Sequence, residues 1–290
     1  MLKIGFIDNI KELFKDKQFF YKYLGITTII SIISYLLVIL VYVPIIPMAI
    51  LSEEGNVEQY TPLFIVLGII AAVVFIIFIL AITIYSVSYV FQFFQNLKDK
   101  VVNPLPNPFV SKSALIQGTN LMIASTIYGL ITFILFGVPM GLIIWVISTY
   151  AEEGTALMIL MICISVVLYI IYFLFALFFS SIISPALIYH IKRYGLKGGF
   201  MIGSIWNMAK KYFKDLALSF LKYAGLSLAV GLILSTVMVV FQVLMYIPFV
   251  GIIVSFIYAG IAMFINIPTF HLMFSYYKTI YPIFEEMDKS

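Results

Sequence analysis

Charged side chains are scarce in this sequence, and their scarcity excludes an ordinary soluble domain. Only 10% of the 290 residues are Asp, Glu, Lys or Arg, whereas 63% are hydrophobic. Soluble globular proteins contain about 25% charged and about 45–50% apolar residues. This composition instead indicates a membrane protein, whose apolar helices face lipid rather than water.

Cysteine occurs once and histidine twice, which leaves few candidates for metal binding or nucleophilic catalysis. Cys163 lies within a long apolar run and has no second cysteine to pair with. His190 and His271 have no carboxylate or second histidine at metal-binding spacing on a helix. We therefore predict no metal and no cofactor. The chain also lacks a phosphate-binding loop and a G-x-S-x-G motif, so we do not expect an enzyme.

Long uncharged runs predict the fold class, an all-α integral membrane bundle. A span needs about 20 apolar residues, and five runs exceed that length. The last run contains YIPFVG at 246–251, where Pro and Gly favour a turn between two helices. We predict one membrane domain, 1–290, made of three helical hairpins. Its six transmembrane helices span about 24–51, 63–92, 121–149, 156–189, 223–246 and 251–277.

Basic residues are absent from every loop that this arrangement places outside. With both termini in the cytoplasm, all 17 Lys and Arg lie on the inner side, including Lys289 of the tail, 279–290. The positive-inside rule favours this orientation. We expect a multi-pass protein of the plasma membrane. Its external loops carry the acidic residues Glu53, Glu54, Glu58, Glu152 and Glu153.

Two inner-side segments, 1–22 and 198–214, are predicted to be amphipathic interfacial helices, because apolar and charged residues alternate there at helical spacing. The glycines of YGLKGGF, just before the second helix, are interpreted as flexible. Nucleic acid is not expected as a partner, since the basic residues are dispersed over four segments. The side chains predicted to contact anionic lipid headgroups are Lys11, Lys15, Lys22, Lys192, Arg193, Lys210, Lys211, Lys214 and Lys222.

Polar residues within the spans are a second group of candidates. His271 follows Asn266 and Thr269 around a proline in the predicted sixth span. This cluster is consistent with a ligand cavity, but interhelical hydrogen bonding remains the alternative. The predicted cavity residues are His271, Asn266, Thr269, Gln92 and Ser184.

One short phrase occurs twice. F-K-D at 14–16 recurs at 213–215, and each copy is followed by K-Y-x-G, at 22–25 and 222–225. Internal duplication and chance repetition both remain open. Three prolines in VVNPLPNPFV, at 101–110, predict an extended crossing that leads into only a short helix.

These motifs give the chain a resemblance to a known family. The F-K-D and K-Y-x-G phrase, the L-P of Leu105 and Pro106 ahead of Gly118, and I-P-F-V-G at 247–251 resemble the uncharacterised prokaryotic membrane protein family DUF4013. The resemblance implies a polytopic membrane architecture and supplies no activity or catalytic residues.

The leading hypothesis is a non-enzymatic polytopic protein whose basic cytoplasmic face engages anionic lipids, a membrane-protein partner or a second copy of itself. The alternative is a permease-like, exporter-associated or self-immunity protein that handles an apolar or amphipathic molecule. A lipid-modifying enzyme is disfavoured, because no nucleophile and base stand together in the sequence.

Overall fold

The computed structural model describes residues 5–15, 18, 20–30, 32, 57–101, 104–150, 155–245 and 250–289. All regular secondary structure in these residues is helical, as the composition predicts. The α-helices are α1 (Phe6–Leu13), α2 (20–30), α3 (Val57–Lys98), α4 (Lys112–Thr132), α5 (Val138–Tyr150), α6 (Thr155–Phe178), α7 (Ser184–Tyr194), α8 (Ile202–Lys211), α9 (Phe213–Met245) and α10 (Val250–Lys289).

Two π-helical turns interrupt the longest apolar helices. Phe133–Gly137 joins α4 to α5, and Phe179–Ile183 joins α6 to α7. In each turn the closing N–H bonds five residues back, from Val138 to Phe133 and from Ser184 to Phe179. The next residue in both cases is a proline, which has no N–H to continue the α-helical pattern.

Four helical stretches in the described part of the chain are long and apolar enough to cross a membrane, which indicates a membrane-embedded protein. They are Ile65–Lys98, Lys112–Thr149, Met158–Phe200 and Phe213–Thr236. These stretches correspond to the predicted second to fifth spans. Most of the predicted first span, from residue 33 to 51, lies outside the described residues, as does most of the predicted turn at 246–251.

The start of α4 corrects the expectation of a separate short helix after the proline-rich crossing. The helix begins at Lys112, nine residues before the predicted span, and continues without a break to Thr132. The Ser111 hydroxyl accepts a hydrogen bond from the Ala114 N–H, which is the geometry of an N-cap. The crossing therefore leads directly into the membrane helix.

The chain divides into two compact units. The first unit comprises Gly5–Gly118 and Lys222–Tyr281. Its core is aromatic: the ring centroids of Phe93 and Phe274 are 4.9 Å apart, and those of Phe94 and Tyr277 are 5.4 Å apart. The large side chains of α3 between Ile65 and Leu80 are mostly exposed, as expected for a surface that faces lipid.

A close approach of α3 and α4 in the first unit requires glycine. A Cβ atom at Gly118 would lie 2.1 Å from the Ser88 Oγ and 2.9 Å from the Ser88 backbone nitrogen. Only a residue without a side chain fits there.

The second unit comprises Thr119–Leu221 and Pro282–Ser290. It buries α7 almost completely, from Pro185 to Ile191, together with Ile205 and Met208 of α8. The 3₁₀ segment Gly195–Phe200 packs on α7 and on α4, where Gly199 approaches Ala124. Near the end of α10, the Tyr189 hydroxyl donates a hydrogen bond to the Asp288 carboxylate. Arg193 donates to the same carboxylate and to the Tyr189 hydroxyl.

Candidate functional site

A stripe of polar side chains along α3 holds the proline-rich crossing. The Tyr85 hydroxyl donates to the Pro108 carbonyl at 2.6 Å, the Tyr89 hydroxyl donates to the Pro106 carbonyl, and the Asn96 amide donates to the Pro104 carbonyl at 2.9 Å. The three prolines alternate along an extended chain, so their carbonyls point to the same side. The stripe therefore anchors the crossing, because it supplies hydrogen-bond donors to the three proline carbonyls.

Gln92, one of the predicted cavity residues, belongs to this anchor. Its side-chain oxygen accepts from the Ser111 N–H at 3.0 Å, and its amide donates to Asn96 at 3.3 Å. The oxygen thus binds the residue just after the crossing, and the amide nitrogen binds a neighbouring residue of α3 that itself holds the crossing. The described geometry gives Gln92 a structural role.

His271 lies buried where α1, α2 and α10 meet in the first unit. The Nε2 atom lies 3.1 Å from the Ile10 carbonyl, and the Nδ1 atom lies 3.2 Å from the Tyr23 hydroxyl. Because a carbonyl only accepts, Nε2 carries the proton and Nδ1 accepts from Tyr23. The Phe14 ring packs over the imidazole at a centroid distance of 3.9 Å.

This environment corresponds to the second of the two interpretations of His271, interhelical hydrogen bonding. Two further contacts join α1 to α10: Asn9 donates to the Thr279 hydroxyl at 2.9 Å, and Lys278 pairs with Glu12 at 2.7 Å. His271 and Thr279 are both buried in this group, and His271 makes its contact with the backbone of the N-terminal helix.

Two other predicted cavity residues have surroundings unlike those of His271. Thr269 is exposed on α10, and Ser184 is half-buried in the second unit. The side chain of Asn266 lies outside the part of the chain that is described. Among the described residues, no group of three His, Cys, Asp or Glu side chains is arranged to hold a metal ion.

A cavity of about 520 Å³ lies in the second unit between α4–α5 and α6. Among the predicted cavity residues with described side chains, His271, Thr269, Gln92 and Ser184, none lines it. Its walls are mainly aromatic and small side chains, with a few hydroxyl groups. The lining residues of one wall are Ser125, Tyr128, Gly129, Thr132, Phe133, Phe136, Gly137 and Met140, and those of the other are Tyr169, Tyr172, Phe175, Ala176, Phe179 and Ser180.

Sequence reasoning missed this cavity, because neither wall has a charged residue or a known motif. Both π-helical turns contribute to it, through Phe133 and Gly137 on one wall and Phe179 on the other. Such turns are frequent at functional sites, since the extra residue displaces side chains from the regular pattern. The prolines that follow the turns, Pro139 and Pro185, are the sequence signal that marks them.

The predicted interfacial helix near the start of α9 is α8, and its three faces have different environments. Ile205, Met208 and Ala209 are buried against the second unit. Ile202 and Trp206 form a second, apolar face that is exposed, with Phe213 following at the start of α9. The third face is basic and exposed, with Lys210 and Lys211, and the exposed Lys214 follows at the start of α9.

The remaining predicted headgroup contacts differ in accessibility. Lys192 is half-buried, and Arg193 pairs with Asp288 at 3.3 Å. The prediction that Lys22 contacts headgroups is corrected, because Lys22 is only 5% exposed and lies on the same helix face as the buried Ile26. The exposed side chains of this group are Lys11, Lys15, Arg193, Lys210, Lys211, Lys214 and Lys222.

Lys22 and Lys222 are equivalent positions of the repeated phrase, so the two copies are not used alike. The first copy places its lysine in the core, and the second copy leaves it exposed. His190, at the end of the predicted fourth span, is 3% exposed, and its Nδ1–H donates to the Ala186 carbonyl at 2.8 Å.

The central parts of these long apolar helices are exposed, and the buried cores lie near the charged helix ends. These features define the class of helical membrane-embedded proteins. The sequence pattern described as "Protein of unknown function (DUF4013)" matches residues 87–243, just over half of the chain. The protein belongs to the DUF4013 family, as the short motifs predict. No curated protein and no solved structure matches the chain.

The matched region contains the L-P crossing, Gly118 and the second copy of F-K-D. The first copy of F-K-D and the I-P-F-V-G motif lie outside it. The family membership therefore rests on the part of the chain from α3 to α9.

Proposed function

We propose that this protein is a non-enzymatic, multi-pass membrane protein whose basic cytoplasmic face binds anionic lipid headgroups. The observation that carries the proposal is the three-faced helix α8. One face packs on the protein, the apolar face with Trp206 is free to enter the bilayer interface, and the basic face with Lys210 lies beside it. This arrangement is typical of an interfacial helix that packs on its own protein with one face and meets the bilayer interface with the others.

The proposal is tested with the full chain in vesicles, using Trp206 as a reporter. The chain has two tryptophans, so Trp145→Phe leaves Trp206 as the single source of emission. Phosphatidylglycerol brominated near the headgroup end of its acyl chains should quench Trp206 more strongly than brominated phosphatidylcholine. Each lysine near a membrane surface contributes about 1 kcal/mol. Replacing Lys210, Lys211 and Lys214 with glutamine should therefore reduce the preference by up to about one hundredfold at low ionic strength.

A matched control removes the same charge from the exposed Lys98, Lys100 and Lys112 of the first unit. In this control variant, brominated phosphatidylglycerol should still quench Trp206 more strongly than brominated phosphatidylcholine, with most of the difference retained. Equal quenching by the two lipids in the parent protein, or an undiminished preference in the α8 variant, would contradict the proposal.

We further propose six spans in three hairpins, with both termini in the cytoplasm of the cell. The charge distribution supports this topology, because no Lys or Arg falls in the predicted external loops. Cys163→Ala removes the lone cysteine, so single cysteines can then be introduced. A membrane-impermeant maleimide should label Glu58→Cys in intact cells, but should label Ser290→Cys only after permeabilisation. The reverse pattern would overturn the topology.

A second candidate function is the handling of an apolar or amphipathic molecule by a permease-like, exporter-associated or self-immunity protein. The cavity between α4–α5 and α6 favours it, since its walls are mainly apolar. Net transfer of a fluorescent amphiphile across proteoliposomes would distinguish this function from static lipid binding.

A further inference from the structure

The dimensions of the cavity in the second unit match an elongated ligand. One wall runs along α6 and into the π-helical turn that follows it, from Tyr169 to Ser180, a rise of about 16 Å at about 1.5 Å per residue. The opposite wall extends from Ser125 to Met140. With a volume of about 520 Å³, the cavity lies within the range of small-molecule binding sites.

The chemistry of the walls selects hydrocarbon over a polar solute. Phenyl and phenol rings dominate the lining, and two of its hydroxyl groups donate to backbone carbonyls of the protein. Thr132 donates to the Tyr128 carbonyl at 2.8 Å, and the Tyr128 hydroxyl donates to the Gly199 carbonyl at 2.9 Å. A polar ligand would lose its hydration without regaining those hydrogen bonds.

The cavity also has a route of entry from the bilayer. Phe133 and Tyr169, on opposite walls, are 61% and 60% exposed. Their surroundings are the same exposed apolar side chains that form the lipid-facing surface of α4 and α6. A hydrocarbon chain can therefore enter sideways without crossing water.

Positive charge lies beside one end of the cavity. Tyr128 connects that end to Gly199, and Lys197 is two residues earlier in the same 3₁₀ segment and exposed. We propose that the cavity binds an acyl chain of an anionic membrane phospholipid, with the headgroup at Lys197. This site differs from the α8 surface and does not require it.

The test uses phosphatidylglycerol that carries a diazirine in one acyl chain, with the full-length protein reconstituted in phosphatidylcholine vesicles. After photolysis, adducts should be concentrated on peptides covering 125–140 and 169–180, relative to the lipid-facing stretch 65–80 of α3. The same diazirine acyl chain on phosphatidylcholine should label these cavity peptides less.

Gly129→Leu fills the cavity without disturbing the fold. Gly129 lines the cavity, and a Cβ atom there would meet nothing within 4 Å. The variant should lower cavity adducts about tenfold, the loss expected when a leucine side chain takes the place of about two buried methylene groups. Gly68→Leu is the matched control, since Gly68 is an exposed helical glycine with the same open surroundings in α3. It should leave the cavity adducts unchanged.

Lys197→Gln should remove the preference for phosphatidylglycerol while leaving the location of the adducts in the cavity. Three results would overturn the inference: adducts spread evenly over all exposed apolar helices, equal labelling by the two lipids, or undiminished labelling of Gly129→Leu. The α8 proposal fails separately, because the Lys210, Lys211 and Lys214 variant is read from quenching of Trp206 and not from cavity adducts.

Discussion

Replacing His271 with alanine is expected to lower the free energy of unfolding by about 3–5 kcal/mol. The substitution removes a buried ring and leaves the Ile10 carbonyl and the Tyr23 hydroxyl without the hydrogen bonds that the imidazole makes. Loosening of α1 should accompany the loss, because His271 is one of the buried residues that attach α1 to α10. Thermal unfolding in detergent and limited proteolysis of the N-terminal segment measure the two effects.

Two further variants identify the cause. Thr269→Ala changes an exposed residue of the same helix and should alter stability by less than about 0.5 kcal/mol. Tyr23→Phe removes only the hydroxyl and should cost about 1 kcal/mol. In the double variant with His271→Ala the two losses should not add, because they share one hydrogen bond. Full additivity, or an α1 that resists protease in His271→Ala, would refute this role.

Replacing Gly198 with alanine is expected to destabilise the second unit by about 3 kcal/mol or more. The new Cβ atom would lie 2.1 Å from the His190 carbonyl oxygen and 2.5 Å from the carbonyl carbon. These are backbone atoms of the buried helix α7, so they cannot rotate away as a side chain can. The unfolding temperature of the purified protein measures the loss.

Gly203→Ala is the control for this prediction. A Cβ atom at Gly203 in α8 would meet nothing within 4 Å, and alanine is the better helix former. This variant should be as stable as the parent protein or more stable by up to about 1 kcal/mol. If both alanine variants unfold at the same temperature, Gly198 does not limit the packing of the 3₁₀ segment.

The positions of the long apolar helices were predictable from the sequence, because the length of an apolar run and the positions of charged residues are local properties. The start of α4 was missed although its signal was present. Three prolines suggested a break, but Ser111 directly after them is a preferred N-cap residue. The glycines at 198 and 199 were interpreted as flexible, whereas the structure buries both in close contacts. Sequence alone does not distinguish a glycine that bends from one that packs.

The candidate sites were less predictable, because they depend on distant residues. The polar cluster near His271 indicated helix contacts or a ligand, but its partners are Ile10, Phe14 and Tyr23 at the other end of the chain. The cavity in the second unit depends on the relative register of α4–α5 and α6. Both walls appear uniformly apolar in the sequence. No local pattern specifies that register.

The anchor on α3 has a consequence for the order in which the protein assembles during synthesis. Its hydrogen bonds join residues only 8 to 23 positions apart, between α3 and the proline-rich crossing. The bonds of His271 join residues 248 and 261 positions apart. Contacts between near neighbours form early because little chain entropy opposes them. The crossing can therefore bind α3 as soon as it has itself left the ribosome, whereas α1 can bind His271 only after nearly the whole chain has been made.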